Sequence, residues 1–257
     1  METLHLDQLL AAAVFIGARI SGLMIFCPFL GSGAIPAPLK AALTLAVTAL
    51  VYTVRGPLAL NLSAWQWVGA GLSEVVIGLV LGLAANFMLE APLIAGQVLG
   101  IQMGYALASL FDPNTQADTP VLAQFHQLAA LMILLQLNVH HWLLRAVVAS
   151  FAYLPAGMAV TGFAAAGGLL HAAAGIFLAG VQIAAPALTA TLVADVALGF
   201  LGKASPQLPV MFIGLAVKNL LGLAVMIAVI RYWPHSFAGH FAHFVSIGER
   251  LLHLART

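Results

Sequence analysis

Four charged side chains, Arg19, Glu74, Asp195 and Lys218, stand inside long apolar runs of a 257-residue chain. A charge at a bilayer centre costs about 3 kcal/mol on insertion scales. Each must therefore face protein, water or a charge of opposite sign. Two chemistries are open. Glu74 or Asp195 could carry a proton or ion, as in a secondary transporter, or all four could be salt-bridged or helix-end charges with a structural role. Neither carboxylate has a second one near it in sequence to form a relay, which favours the structural role. Nine histidines invite a metal, but spacing weakens that. His126 and His140 are about 21 Å apart along one continuous helix. His140 and His141 point in different directions on a helix, and His240 and His243 share a face with no third ligand. The single cysteine, Cys27, excludes an internal disulfide and reads as a packing residue. The GxSxG, HExxH and GxxxxGK[ST] signatures are absent, and Gly199-Phe200-Leu201-Gly202-Lys203 lacks the loop spacing of the last. No catalytic residue, metal or cofactor is expected.

The elements that must position those charges are helices. The chain is 63% hydrophobic and 7% charged, against roughly a quarter charged in a soluble domain. No charge occurs from Ala91 to Phe111, from Thr119 to Leu144 or from Ala146 to Ala194. These runs are apolar all round and approach or exceed the ~20 residues that cross a hydrocarbon core. The fold class is all-α: a multi-helix integral membrane-type protein of kinked helices and helical hairpins. A net charge of +1 leaves no basic footprint for nucleic acid. Glu2 and Asp7 near the N-terminus differ from the basic start of a cleavable signal peptide, so no cleavage is expected.

Apolar segments fall near 9–30, 38–54, 66–89, 91–111, 121–154, 165–201 and 208–231, before a tail at 235–256. The breaks carry turn residues: Gly31-Ser32-Gly33, Arg55-Gly56-Pro57, Asp112-Pro113-Asn114, Pro155, Ser205-Pro206 and Pro234. Connections are short, which predicts one helical unit without a soluble domain. Segment 165–201 is too long for one crossing and contains Pro186, so a kink or two half-helices is expected there. Gly96, Gly100 and Gly104 repeat every fourth position, as do Gly78 and Gly82. Such stripes let a neighbouring backbone approach closely, either within the chain or between subunits. The tail places Phe237, Phe241, Phe244 and Leu251 on one face, predicting an amphipathic helix at the membrane interface or on a partner. Arg231, Arg250 and Arg256 favour a cytoplasmic C-terminus.

Between two apolar segments lies a polar loop, 106–120, entered by a glycine-striped helix bearing Gln97 and Gln102. Asp112 before Pro113 is a turn initiator. The loop is either a hairpin tip in water or a re-entrant loop inside a pore. Here the run GQVLGIQMGYALASLFDPNTQADTPVL, followed by HQLAALMILLQLNVHHWLLRAVVASFAYLPAG, resembles the FliR family of flagellar biosynthetic proteins. That family groups with the T-type export-gate subunits of virulence type III secretion systems. Ala185-Pro186-Ala187 and Ser205-Pro206-Gln207 extend the likeness, which is most specific over 96–157 and 185–214. Gln102-Met103-Gly104 and Asn138-Val139-His140 look more flagellar than virulence-type.

The resemblance implies a P-like portion fused to a Q-like hairpin, assembled with P-type and Q-type subunits, and the B-type switch subunit, into a gated channel for unfolded export substrates. It implies a place in the bacterial inner membrane at the flagellar basal body, in contact with lipid and with no nucleic acid. It assigns the loop as a pore plug, through Leu110, Phe111, Asp112 and Pro113, with Met103 and Gly104 at its entry. The alternatives are a virulence T-type subunit, or a stand-alone secondary transporter. A transporter usually shows repeated halves and paired embedded charges, and neither is visible in the sequence.

Overall fold

In the computed structural model, residues 2–28, 31, 35–56, 63–105, 121–157, 164–207 and 209–239 are described, and none of them forms a strand. Among the described residues there are seven α-helices: α1 Glu2–Phe26, α2 Ala37–Arg55, α3 Ala64–Gln102, α4 Val121–Gln136, α5 Val139–Tyr153, α6 Ala164–Ala204 and α7 Val210–Val229. A 3-10 turn, Ile230–Tyr232, continues α7 into further helix up to Gly239. Local sequence explains several ends. α2 starts with proline in its first turn, where no backbone donor is missed, and stops at Gly56 with φ 76°. Among the described residues, five helices are long and apolar enough to cross a membrane, or six if the bent pair α4–α5 is one span.

Two segment boundaries differ from expectation. Segments 66–89 and 91–111 merge into the 39-residue α3, which runs through Pro92. Pro186 likewise sits inside the 41-residue α6, which is one helix rather than two halves. Proline removes one backbone donor and costs about 3 kcal/mol. Ending the helix in apolar surroundings would instead free a whole turn of carbonyls with no water to receive them. The break falls within 121–154. Asn138 takes a left-handed backbone, φ 55°, which asparagine tolerates better than most side chains, and α4 meets α5 at 68°.

The chain divides into two compact units. In the first, drawn from Met1–Met88 and Leu134–Ala173, Phe15, Ile16, Ile20, Leu23, Ile77, Val147 and Phe151 build a buried core that includes Cys27. Phe15 stacks on Trp67 with centroids 4.8 Å apart. In the second, drawn from Leu89–Ile133 and Ala174–Phe241, α3 lies against α4, α6 and α7. A methyl group on Gly96 would overlap the Ala123 Cα, and one on Gly180 would come within 3.0 Å of the Ala91 carbonyl oxygen. Gly96 thus packs inside this chain. The tail beyond residue 239 lies outside the described residues, but Phe237, at its start, is buried against Trp233 with ring centroids 5.9 Å apart.

Candidate functional site

The four embedded charges form two ion pairs, one in each unit. In the first, Gly78 and Gly82 bring α3 onto α1: a methyl group on Gly78 would overlap the Arg19 carbonyl oxygen, and one on Gly82 would reach the Leu23 carbonyl oxygen at 2.6 Å. From α1, Gly22 presses in return on the Val75 carbonyl oxygen. Glu74 lies one turn before Gly78, and Arg19 three residues before Gly22, so the glycine faces carry the charges into contact. Arg19 Nε donates to Glu74 Oε2 at 2.6 Å, and both side chains have no exposed surface. Each remaining nitrogen and oxygen of the pair has a partner within the unit. Arg19 Nη1 donates to Ser150 Oγ at 2.8 Å and Nη2 to the Leu154 carbonyl at 2.9 Å. Glu74 Oε1 accepts from the Gly157 N–H at 2.9 Å, and the guanidinium carbon stands 3.8 Å from the Phe151 ring centroid. Such a cluster is a clasp joining α1, α3 and the end of α5. With both Glu74 oxygens engaged and no exposed surface, it is poorly suited to carry ions.

The second pair is open. Lys218 Nζ on α7 lies 2.9 Å from Asp195 Oδ1 on α6, with 19% and 40% of the two side chains exposed. Gln102 Nε2, the last residue of α3, donates to Asp195 Oδ2 at 2.7 Å. The pair opens onto a cleft of about 970 Å³ whose walls include Ile101, Leu198, Val210 and Phe212. Paired embedded charges, not visible in the sequence, are therefore present.

α3 ends beside this pair. The Tyr105 N–H donates to the Gly100 carbonyl at 2.9 Å, and the Gly104 N–H to the Ile101 carbonyl at 3.1 Å. With Gly104 at φ 83°, this is a Schellman stop. Gly104 accordingly serves the turn and is half-buried, whereas Gly96 and Gly100 are buried. Met103 is fully buried, seated where a methyl group on Gly222 of α7 would lie 2.8 Å from its Sδ. The entry to the polar loop is thereby anchored. Leu110, Phe111, Asp112 and Pro113 lie outside the described residues. Pro186 is exposed on α6. His140 and His141, expected to diverge, have ring centroids 4.2 Å apart at the start of α5.

A model of the family described as bacterial export proteins, family 1, matches residues 10–244. The chain belongs to that family. Among curated relatives, it is 29% identical over 211 residues to the flagellar biosynthetic protein FliR of Escherichia coli K12, covering 82% of this chain and 81% of that one. It is 29% identical over 224 residues to that of Bacillus subtilis 168, covering 86% of each. It is 30% identical over 230 residues to that of Pectobacterium carotovorum, covering 86% of this chain and 85% of that one. The resemblance stated from the loop and its flanking helices thus extends over most of the chain.

Sequence reasoning about this bacterial export protein left out Ser150, Gly157 and the role of Gln102 as a donor. A usable signal existed for the charges themselves. Lys218 stands four residues from both Gly214 and Gly222, Asp195 four from Gly199, and Glu74 four from Gly78. A charge flanked by glycine at helical spacing marks a face built for close contact.

Proposed function

We propose that this chain, a membrane-embedded component of flagellar protein export, is one subunit of the type III export gate. With P-type and Q-type subunits it forms a gated channel for unfolded substrates in the inner membrane, at the flagellar basal body. One observation supports this above others: the helices are too long and too apolar for lipid alone. α3 and α6 have 39 and 41 residues, or about 60 Å each at 1.5 Å per residue. A hydrocarbon core is about 30 Å thick, and even a 40° tilt accommodates only about 39 Å of helix. The surplus is still apolar and must meet protein. Two other helices are under-covered: in Ala37–Arg55 and Val210–Gly239 only 11% and 17% of the residues are buried.

Under this assignment the 106–120 loop closes the resting channel, with Leu110, Phe111, Asp112 and Pro113 at the constriction and Met103 and Gly104 at its root. An apolar constriction can hold back ions by dewetting while passing chain of any sequence. Movement from that root has a firm pivot, since Met103 is seated and Gly104 supplies the turn.

Co-expression with P-type and Q-type subunits tests the assignment. One complex containing all three is expected; recovery of the chain without either partner would overturn it. Deleting 106–120 should raise ion leak through assembled gates, and unchanged conductance would remove the plug from the proposal.

A further inference from the structure

We propose that the cleft around Asp195 seats a helix of another export-gate subunit, apolar along its length and bearing one neutral hydrogen-bond donor opposite Asp195. This rests on the gate assignment and names a place where a partner contacts this chain.

Lipid is a poor occupant wherever the turn joining α6 and α7 stands at a membrane surface. Asp195 lies nine residues before the end of α6, and Lys218 eight after the start of α7. At 1.5 Å per residue both are about 12–14 Å from the turn joining those helices. With that turn at a membrane surface, the pair sits near mid-depth of a ~30 Å core. A carboxylate 40% exposed there would meet hydrocarbon at a cost of several kcal/mol.

The chemistry of the cleft specifies the occupant. Among the described residues each Asp195 oxygen has one donor, Lys218 for Oδ1 and Gln102 for Oδ2. Glu74 has no more, but Glu74 is sealed, whereas the exposed side of Asp195 leaves open some of the roughly four acceptor positions of a carboxylate. Asn219 also lines the cleft, and its buried Oδ1 has no hydrogen-bond partner among the described residues. What the site offers is therefore acceptors. Asp195 and Lys218 already neutralise one another, so an added lysine or arginine would leave a net positive charge among apolar walls. A hydroxyl or amide, from Ser, Thr, Asn or Gln, completes the cluster without that charge.

Shape agrees. A methyl group on Gly199 would meet nothing within 4 Å, although this glycine lines the cleft one turn from Asp195. A bare glycine face beside a groove accepts the side-chain ridge of a crossing helix. In the other unit the glycines beside Glu74 are already filled by the backbone of α1.

The test uses the gate assembled from this chain and its P-type and Q-type subunits. A photoreactive phenylalanine in place of Phe212 should cross-link to one of those subunits. In a Cys27→Ala background, Phe212→Cys should resist a membrane-impermeant maleimide in the gate. Gly199→Leu fills the open space without touching a charge. It should leave the chain at its normal level in the membrane while lowering gate recovery about tenfold or more, the scale of an obstructed contact centre. Asp195→Lys should do the same. Cross-linking only to lipid or to a second copy of this chain, rapid maleimide labelling within the gate, or normal assembly of Gly199→Leu would each overturn the proposal. If the unsubstituted chain fails to co-purify with either subunit, the gate assignment itself falls and takes this site with it. Co-purification alongside rapid labelling strikes the cleft alone.

Discussion

Two ion pairs of the same composition class, a basic side chain against a carboxylate on apolar helices, are finished to different degrees. Arg19 and Glu74 are closed off completely, and their remaining nitrogens and oxygen are met by Ser150, Leu154 and Gly157. Asp195 and Lys218 hold one another and Gln102 at the edge of a cleft, with the carboxylate 40% exposed. Glycine decides the difference. Gly78 and Gly82 are pressed against the backbone of α1, so no room remains around the first pair, whereas Gly199 faces open space beside the second. A chain that completes one pair by itself and leaves its counterpart unfinished has one region specified by its own fold and another waiting for a neighbour.

The largest effect should come from breaking the closed pair. Glu74→Ala leaves a buried guanidinium without its counter-charge, at about 3–5 kcal/mol, and the substituted chain should unfold at much lower temperature in detergent. Arg19→Met combined with Glu74→Met should cost less than either single change, a non-additivity expected of directly bonded residues. Strict additivity would deny that the two act as one clasp.

Gly78→Val should cost about 1–3 kcal/mol through overpacking between α1 and α3. If the glycine face exists to deliver the charges to each other, the same substitution should hurt less in the double-Met background, and thermal unfolding of both variants reads this directly.

Gly104→Ala should cost about 1–2 kcal/mol, because alanine resists the positive φ of the α3 stop. A melting temperature equal to that of the unsubstituted chain would mean that the Schellman turn is not holding the helix end.

The smallest effect on the chain itself should come from Lys218→Met. A pair this exposed contributes about 0–1 kcal/mol, so unfolding of the isolated chain should barely move while gate assembly suffers. A loss as large as that of Glu74→Ala would erase the distinction between the two regions.

Much of this was legible beforehand. Lack of charge over 146–194 marked α6, proline and glycine at Pro36 and Gly56 bounded α2, and the loop with its flanking helices carried the family resemblance. Of the kink or two half-helices open at Pro186, the two halves are not formed, and the break lies at Asn138. Pro186 draws attention because of its missing donor, yet its cost is local and the helix absorbs it, while Asn138 turns the chain through a left-handed residue that composition does not flag. The partners of Arg19 were not legible at all. Ser150 lies 131 positions away and is an unremarked serine in an apolar run.

Sequence alone determined the all-helical membrane character, the four costly charges and the glycines spaced to expose them, because hydropathy and helical period are local properties. Only the tertiary structure decided which charge meets which, and which pair is left open. Those outcomes depend on where helices distant in sequence cross, and a crossing is set by how closely two backbones can approach. Arg19 and Glu74 are sealed within their own chain, and Asp195 and Lys218 stay open at the edge of a cleft.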